Sequence, residues 1–206
     1  MKNEQYYTAQ PSSKDEEFSF NRDLAGFNFK FYSNNGVFSK NTIDFGTQTL
    51  ISTVDQLPIF PKKILDLGTG YGPIALFAAK HFPKAQILAS DVNERALDLA
   101  KKNFIANDLT EHIDVIESSL FDQIEDNFDL VLTNPPIRAG KTIINTLVED
   151  SYQHLNLDGN LILVVQKKQG EPSLKRKMED VFGNCEILKR NKGYYILSSK
   201  KKSSAV

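Results

Sequence analysis

The sequence predicts an α/β fold: a seven-stranded, mostly parallel sheet with helices on both faces and an antiparallel last strand. From Lys62 onward, short apolar runs alternate with helix-length segments, the pattern of strands joined by crossover helices. The last two runs are separated by only Asn191-Lys192, too short for a crossover and suited to an antiparallel hairpin. The chain has 206 residues, 40% hydrophobic and 25% charged, enough for one ordinary α/β domain and short for two.

Residues 1–17 are polar and charged, with only Tyr6 and Tyr7 as large anchors, and are expected to be flexible. Residues 18–61 read as a hairpin and a helix packed on the main domain. In FNFKFYSNNGVFS (27–39), Phe27, Phe29 and Phe31 alternate onto one strand face, and Asn34-Asn35-Gly36 supplies the turn chemistry of a hairpin. DFGTQTLISTVDQL (44–57) follows as a helix, with Leu50, Ile51, Val54 and Leu57 on one face and Pro58 and Pro61 stopping it. The main domain spans residues 62–200. Its strands are KKILDLG (62–68), QILASDV (86–92), HIDVIES (112–118), FDLVLTN (128–134), NLILVVQ (160–166), CEILKR (185–190) and GYYILSS (193–199). Between the first five lie PIALFAAKHF, NERALDLAKKNFIAN and KTIINTLVEDSYQHLNL, each readable as a helix. The second starts at Asn93 as N-cap and carries Leu97, Ala100 and Phe104 along one stripe. Residues 201–206 form a flexible basic tail.

Composition excludes several classes. No apolar run approaches the roughly 20 residues of a membrane span, and the polar opening residues lack the apolar stretch of a secretory signal. A single cysteine, Cys185, excludes an internal disulfide and reads as a small buried hydrophobe. His81, His112 and His154 are far apart, so no metal site is expected. A soluble, cytoplasmic chain is the expectation. The net charge of −1 hides an asymmetry: residues 161–206 hold 11 Lys/Arg against 4 acids, leaving residues 1–160 at −8. This basic end is either a solvated face or a surface for a polyanion.

In an open α/β sheet, ligands bind beyond the carboxyl ends of the strands, and four such ends carry unusual residues here. The first is Asp66-Leu67-Gly68-Thr69-Gly70-Tyr71-Gly72-Pro73. Its glycines allow a sharp turn and close approach to a ligand, and Pro73 suits the first turn of a helix. The spacing lacks the third glycine of a dinucleotide GxGxxG, which argues against NAD; a tight turn is the plainer alternative. The second end is Asp91-Val92, where the acid could accept both hydroxyls of a ribose or accompany the cap at Asn93. The third, Glu117-Ser118-Ser119-Leu120-Phe121, could meet an adenine edge or be an ordinary polar loop. The fourth is Asn134-Pro135-Pro136-Ile137-Arg138. Its prolines lock the backbone, leaving the Asn134 side-chain oxygen and the Pro135 carbonyl able to accept both hydrogens of one exocyclic amine. Such acceptors draw the conjugated lone pair toward tetrahedral geometry and stabilise the charge that builds as a methyl group arrives. Asn-Pro-Pro also occurs as a simple turn.

Together these residues resemble the class I S-adenosyl-L-methionine-dependent methyltransferases, specifically the branch acting on planar amino groups. Longer strings sharpen the likeness: Gly36-Val37-Phe38-Ser39, Asp44-Phe45-Gly46-Thr47, Asp91-Val92-Asn93-Glu94-Arg95-Ala96, NPPIRAGK (134–141) and Lys167-Lys168-Gln169-Gly170. The set is similar to the RsmC-type small-subunit ribosomal RNA guanine-N2 methyltransferases over residues 31–197. The resemblance implies a Rossmann-like class I methyltransferase fold, with S-adenosyl-L-methionine as cofactor and ribosomal RNA or the small ribosomal subunit as partner. It implies room for the methionine part of the cofactor at Gly68, Thr69 and Gly70, with Asp66 near its ammonium. Asp91 and Val92 would hold the ribose and Ser119 would stand in the adenine loop, where the family often has an acid. Gly46 and Thr47 would lie against the cofactor or the substrate mouth. Asn134, Pro135 and Pro136 would grip the target amine. Many relatives place an aromatic after the prolines to stack the base, whereas this chain has Ile137; Phe38 or Phe45 is left to stack the base or to fill the core. Arg138, Lys141, Lys167 and Lys168 would meet RNA phosphates or remain solvated. The larger bacterial relatives carry a further amino-terminal domain. The same residues also admit adenine N6 or a protein glutamine amide as acceptor, or a non-catalytic RNA-binding module with this fold.

Overall fold

A computed structural model describes residues 18–33, 43–137 and 140–203 of the chain. It begins with a hairpin, β1 (Phe18–Leu24) and β2 (Phe27–Ser33), in which Phe29 and Phe31 are fully buried. The hairpin turns at Ala25-Gly26, with φ of 49° and 83°. Two successive positive φ values match the twist of a two-residue hairpin loop. This corrects the expected hairpin: the phenylalanine strand is its second member, not its first. Ala25 carries no turn chemistry, so only Gly26 marks the true turn. The expected turn at Asn34-Asn35-Gly36 lies outside the described residues, as do residues 1–17, Phe38, Arg138 and residues 204–206.

The remaining elements are α1 (Phe45–Val54), β3 (Lys63–Leu67), α2 (Pro73–His81), β4 (Gln86–Asp91), α3 (Glu94–Ala106), β5 (Ile113–Glu117), β6 (Phe128–Thr133), α4 (Lys141–His154), β7 (Leu155–Gln166), α5 (Glu171–Phe182), β8 (Glu186–Asn191) and β9 (Tyr194–Lys200). The last seven strands form one sheet in the order β5-β4-β3-β6-β7-β9-β8. β9 runs antiparallel between β7 and β8, and the other neighbours pair in parallel. The expected α/β architecture is therefore present.

Three details differ from the sequence reading. Helix α5 was not anticipated; its apolar residues Leu174, Met178 and Phe182 are sparse among charges, with Pro172 and Gly183 bounding it. As a crossover it makes β8 parallel to β7. β7 starts at Leu155, so the LNL assigned to a helix end is strand. The last hairpin turns at Lys192-Gly193, φ 46° and 82°, one residue beyond the expected pair.

Period-2 alternation divides the strands between two cores. Ile64, Leu130, Leu132, Ile162 and Ile196 face the hairpin, α1, α2 and α3; Leu65, Val131, Leu161, Leu163 and Leu197 face α4 and α5. Strands covered on both faces must read as nearly continuous apolar runs, which is why they stood out in the sequence. Helix α3 fixes the hairpin to the domain through two asparagines. Asn103 accepts from the Tyr32 N–H at 2.6 Å and donates to the carbonyls of Tyr32 and Tyr71, while Asn107 pairs likewise with Lys30. Side-chain amides thus stand in for a neighbouring strand along β2 and satisfy its backbone groups. This brings the end of β2 beside the loop that follows β3, at the carboxyl edge of the sheet.

Candidate active site

The loop after β3 turns at once into α2. Gly68 and Thr69 N–H groups both donate to the Ser90 carbonyl at 2.8 Å, tying the loop to β4. Gly68 and Gly70 take φ of 76° and 58°, and a Cβ on either would meet nothing within 4 Å. Gly72 is held for a different reason: a Cβ there would lie 2.5 Å from the Phe104 ring of α3. This loop forms one wall of a cavity of about 480 Å³, which continues past Asp91, Val92 and Ser119 to Asn134 and its prolines. A volume of this size is typical of small-molecule sites.

Asp91 lies in that wall. Its Oδ2 accepts from the Gly70 N–H at 2.8 Å and its Oδ1 from the Asn93 N–H at 2.9 Å. Burial pushes its carboxyl above the ordinary value, and the backbone N–H groups work in the opposite direction. Asp91 thus joins the glycine loop to the start of α3, where Asn93 caps Arg95 and Ala96 as expected. Asp91 lines the cavity, and a carboxylate has lone pairs beyond these bonds with which to accept from a ligand.

Asp66 is placed differently from the expectation. It shares strand parity with Ile64, points beneath the loop toward α2, and is not part of the cavity wall. Its Oδ2 accepts from the Thr69 hydroxyl at 2.6 Å and from the Ala75 N–H at 3.0 Å, in the first turn of α2, while Oδ1 has no partner. Full burial raises its pKa to about 7. The native state then holds a proton that the unfolded chain sheds near pH 4, so this carboxyl lowers stability as pH rises from about 4 to 7. The full penalty above that window is about 4 kcal/mol. Urea unfolding of the parent and of Asp66→Asn should therefore diverge with increasing pH, the parent losing ground. A constant difference would show that Asp66 ionises as an ordinary carboxylate.

At the end of β6 the Asn134 side chain is oriented by its partners. Nδ2 donates to Asp44 Oδ1 at 3.1 Å and to Thr47 Oγ1 at 3.0 Å, and Asp44 Oδ1 also caps α1 through the Thr47 N–H. A carboxylate only accepts, so the amide nitrogen must face it and Oδ1 must face away. The backbone differs from expectation at one atom: the Ile137 N–H donates to the Pro135 carbonyl at 2.8 Å, leaving that oxygen one lone pair instead of two. Thr47 and both prolines line the cavity. Gly46 does not; it packs against the Tyr194 ring, where a Cβ would fall 2.9 Å from Cε1. Phe45 lies behind Tyr194, outside the wall, with ring centroids 5.5 Å apart.

Lys141, at the start of α4, and Lys167 and Lys168, in a 3₁₀ turn after β7, are exposed and outside the wall. They flank its carboxyl edge. Lys175 and Lys177 on α5 are ion-paired with Glu179 and Glu149. The sequence reading missed Tyr71, Gln166, Gln169 and Tyr194 as wall residues. No helix among the described residues is long and apolar enough to cross a membrane.

These residues fit S-adenosyl-L-methionine. The glycine cradle leaves space where side chains would stand, and Asp91 supplies an acceptor at the neighbouring strand end. Comparison with known proteins gives the same class. The family model described as "Methyltransferase small domain" matches residues 28–198. The chain is 41% identical over 200 residues to YbxB of Bacillus subtilis, covering 96% of this chain and 98% of that protein. It is 32% identical to "Ribosomal RNA small subunit methyltransferase C" of Cronobacter sakazakii, covering 74% of this chain and 44% of the relative. The Haemophilus influenzae protein of that name is 34% identical, covering 84% of this chain and 52% of its own length. The chain thus spans about half the length of these named relatives. Among solved structures, the T. thermophilus 16S rRNA N2-guanine methyltransferase (RsmC) in complex with AdoMet and guanosine superposes with a TM-score of 0.80 at 23% identity. That match covers 90% of this chain and 51% of the other. The chain belongs to the methyltransferase small-domain family and has the class I S-adenosyl-L-methionine-dependent methyltransferase fold.

Proposed function

We propose that the chain methylates the exocyclic N2 amine of a guanine in small-subunit ribosomal RNA. The observation that carries this is the fixed Asn134 amide, whose oxygen is turned away from Asp44 and Thr47. The relatives named as small-subunit ribosomal RNA methyltransferases support the choice of RNA. Residues 62–200 are the catalytic domain in this reading, with residues 18–61 packed on it, and a ribosomal partner places the chain in the cytoplasm.

When bound, the cofactor supplies a methyl group on a positively charged sulfur. Gly68, Thr69 and Gly70 hold its amino-acid part and Asp91 with Val92 its ribose, beside Ser119 at the adenine. Asn134 Oδ1 and the remaining lone pair of Pro135 accept the two N–H hydrogens of the target amine. This pulls the amine lone pair out of conjugation and offsets the positive charge that grows on nitrogen. The amine then sheds one proton to solvent. Thr47 and Asp44 act through Asn134 by keeping its oxygen aimed.

Incubation with a labelled methyl donor and small subunits or their RNA tests the proposal. Label recovered as N2-methylguanine supports it. Label in N6-methyladenine or in protein glutamine overturns the acceptor, and no label at all overturns the catalytic reading.

RNA phosphates are expected to meet the lysines at the carboxyl edge. Replacing Lys167 and Lys168 by alanine should flatten the dependence of RNA affinity on log salt by about 0.7 for each phosphate no longer neutralised. Replacing Lys175 and Lys177, which are already paired with acids, should leave the slope nearly unchanged. Equal slopes in all variants would return Lys167 and Lys168 to solvated surface.

A further inference from the structure

The sheet order divides the cavity. Residues at the ends of β3, β4 and β5 form the cofactor side, and Asn134 stands at the boundary on β6. Beyond it in the sheet order come β7 with the turn that follows it, and β9, which contribute Gln166, Gln169 and Tyr194 to the wall. A base presenting its amine to Asn134 must lie over that second half. Ile137, after the prolines, is also in the wall but offers no flat surface.

Two aromatic side chains line the cavity among the described residues. Tyr71 is almost fully buried, and its ring meets Phe31 edge-on at 5.8 Å within the hairpin core. Tyr194 is half-buried at the mouth, and its ring is held from three directions. Gly46 touches one side so closely that no Cβ fits, Phe45 backs it at 5.5 Å, and Gln166, its cross-strand partner, donates to the hydroxyl. Lys192, the neighbouring turn residue but one, lies 5.2 Å over the Phe45 ring and is exposed. A rigid ring beside a cation on the acceptor side matches the way single-stranded or extruded bases are bound, by stacking with a phosphate contact nearby.

We infer that Tyr194 is the stacking platform for the target purine, held in place by Gln166 and Gly46. The inference rests on the proposed transfer to a base amine.

Steady-state methylation of small-subunit RNA by the parent, Tyr194→Phe and Tyr194→Leu tests it, with cofactor affinity measured alongside. Loss of stacking typically weakens base binding by about 5- to 150-fold. Tyr194→Leu should raise the RNA KM by that factor while leaving cofactor affinity unchanged. Tyr194→Phe keeps the ring and should stay near the parent. A role in packing alone would instead lower cofactor affinity or melting temperature in Tyr194→Leu. As a measurement needing no substitution, RNA containing 6-thioguanosine should crosslink on irradiation to Tyr194 of the unaltered enzyme. Unchanged KM in Tyr194→Leu, or crosslinks confined to the Asn134 loop, overturns the inference while RNA methylation stands. A parent that labels no RNA overturns the underlying reading and the inference with it.

Discussion

Asn134→Ala is expected to bind S-adenosyl-L-methionine normally and to transfer methyl groups about 10²–10³ times more slowly, the usual cost of one preorganised hydrogen-bonding group. The reasoning is that Oδ1 acts mainly on charge that develops during transfer, so its loss raises the barrier more than it weakens the ground state. Single-turnover rates at saturating RNA read the effect directly. A rate equal to that of the parent would leave Asn134 as a turn residue.

The geometry makes Asn134→Asp more informative than a simple truncation. The new carboxyl would face Asp44, which now accepts from Nδ2 at 3.1 Å. Two carboxylates this close share one proton. While the proton is shared, an acceptor oxygen still faces the amine and partial activity survives. As the pH rises and the proton leaves, repulsion turns the side chain away, so the rate should fall with increasing pH. Combining Asn134→Asp with Asp44→Asn removes the second carboxylate and with it the repulsion, while asparagine caps a helix about as well as aspartate. The pair should recover rate at high pH relative to Asn134→Asp alone. No recovery would show that Asp44 caps α1 without aiming Asn134.

The sequence displayed the sheet clearly because β3, β6 and the second half of β7, residues 161–165, are buried on both faces and largely apolar. Parallel strands also bring their carboxyl ends to one edge, so Gly68, Asp91 and Asn134 could be placed together without knowing their distances. Side-chain parity could not be read as easily. Asp66 precedes the turn by a single residue, yet that shift sends it under α2 while its neighbour Leu67 reaches the cavity. Tyr194 and Gln166 meet only because β9 inserts between β7 and β8, a pairing that no local pattern announces. Asp44 reaches Asn134 across 90 residues of sequence, and its cap position gave no sign of that second partner. What stayed hidden was the set of residues whose neighbours are made by tertiary structure alone.

Asp91→Ala is expected to weaken S-adenosyl-L-methionine binding by about 10²- to 10⁴-fold, since two hydrogen bonds to an ionised carboxylate are each worth roughly 1.5–3 kcal/mol. The structure adds a second contribution to this loss. Asp91 also receives the N–H groups of Gly70 and Asn93, so truncation leaves two donors without their acceptor and loosens the loop before any ligand arrives. Asp91→Asn separates the two effects. Its single oxygen can retain one of those N–H bonds and accept from one ribose hydroxyl, but the amide nitrogen opposes the other donor. It should therefore bind more tightly than Asp91→Ala and more weakly than the parent. Burial raises the Asp91 pKa, so acidification protonates it sooner than an ordinary aspartate. Cofactor affinity of the parent should accordingly fall as the pH drops into the carboxylate range, and that fall should be shallower in Asp91→Asn. Calorimetry across pH, with melting curves to verify the fold, measures all three proteins. Affinities indistinguishable from the parent in both variants would confine Asp91 to pinning the glycine loop and remove it from the ribose.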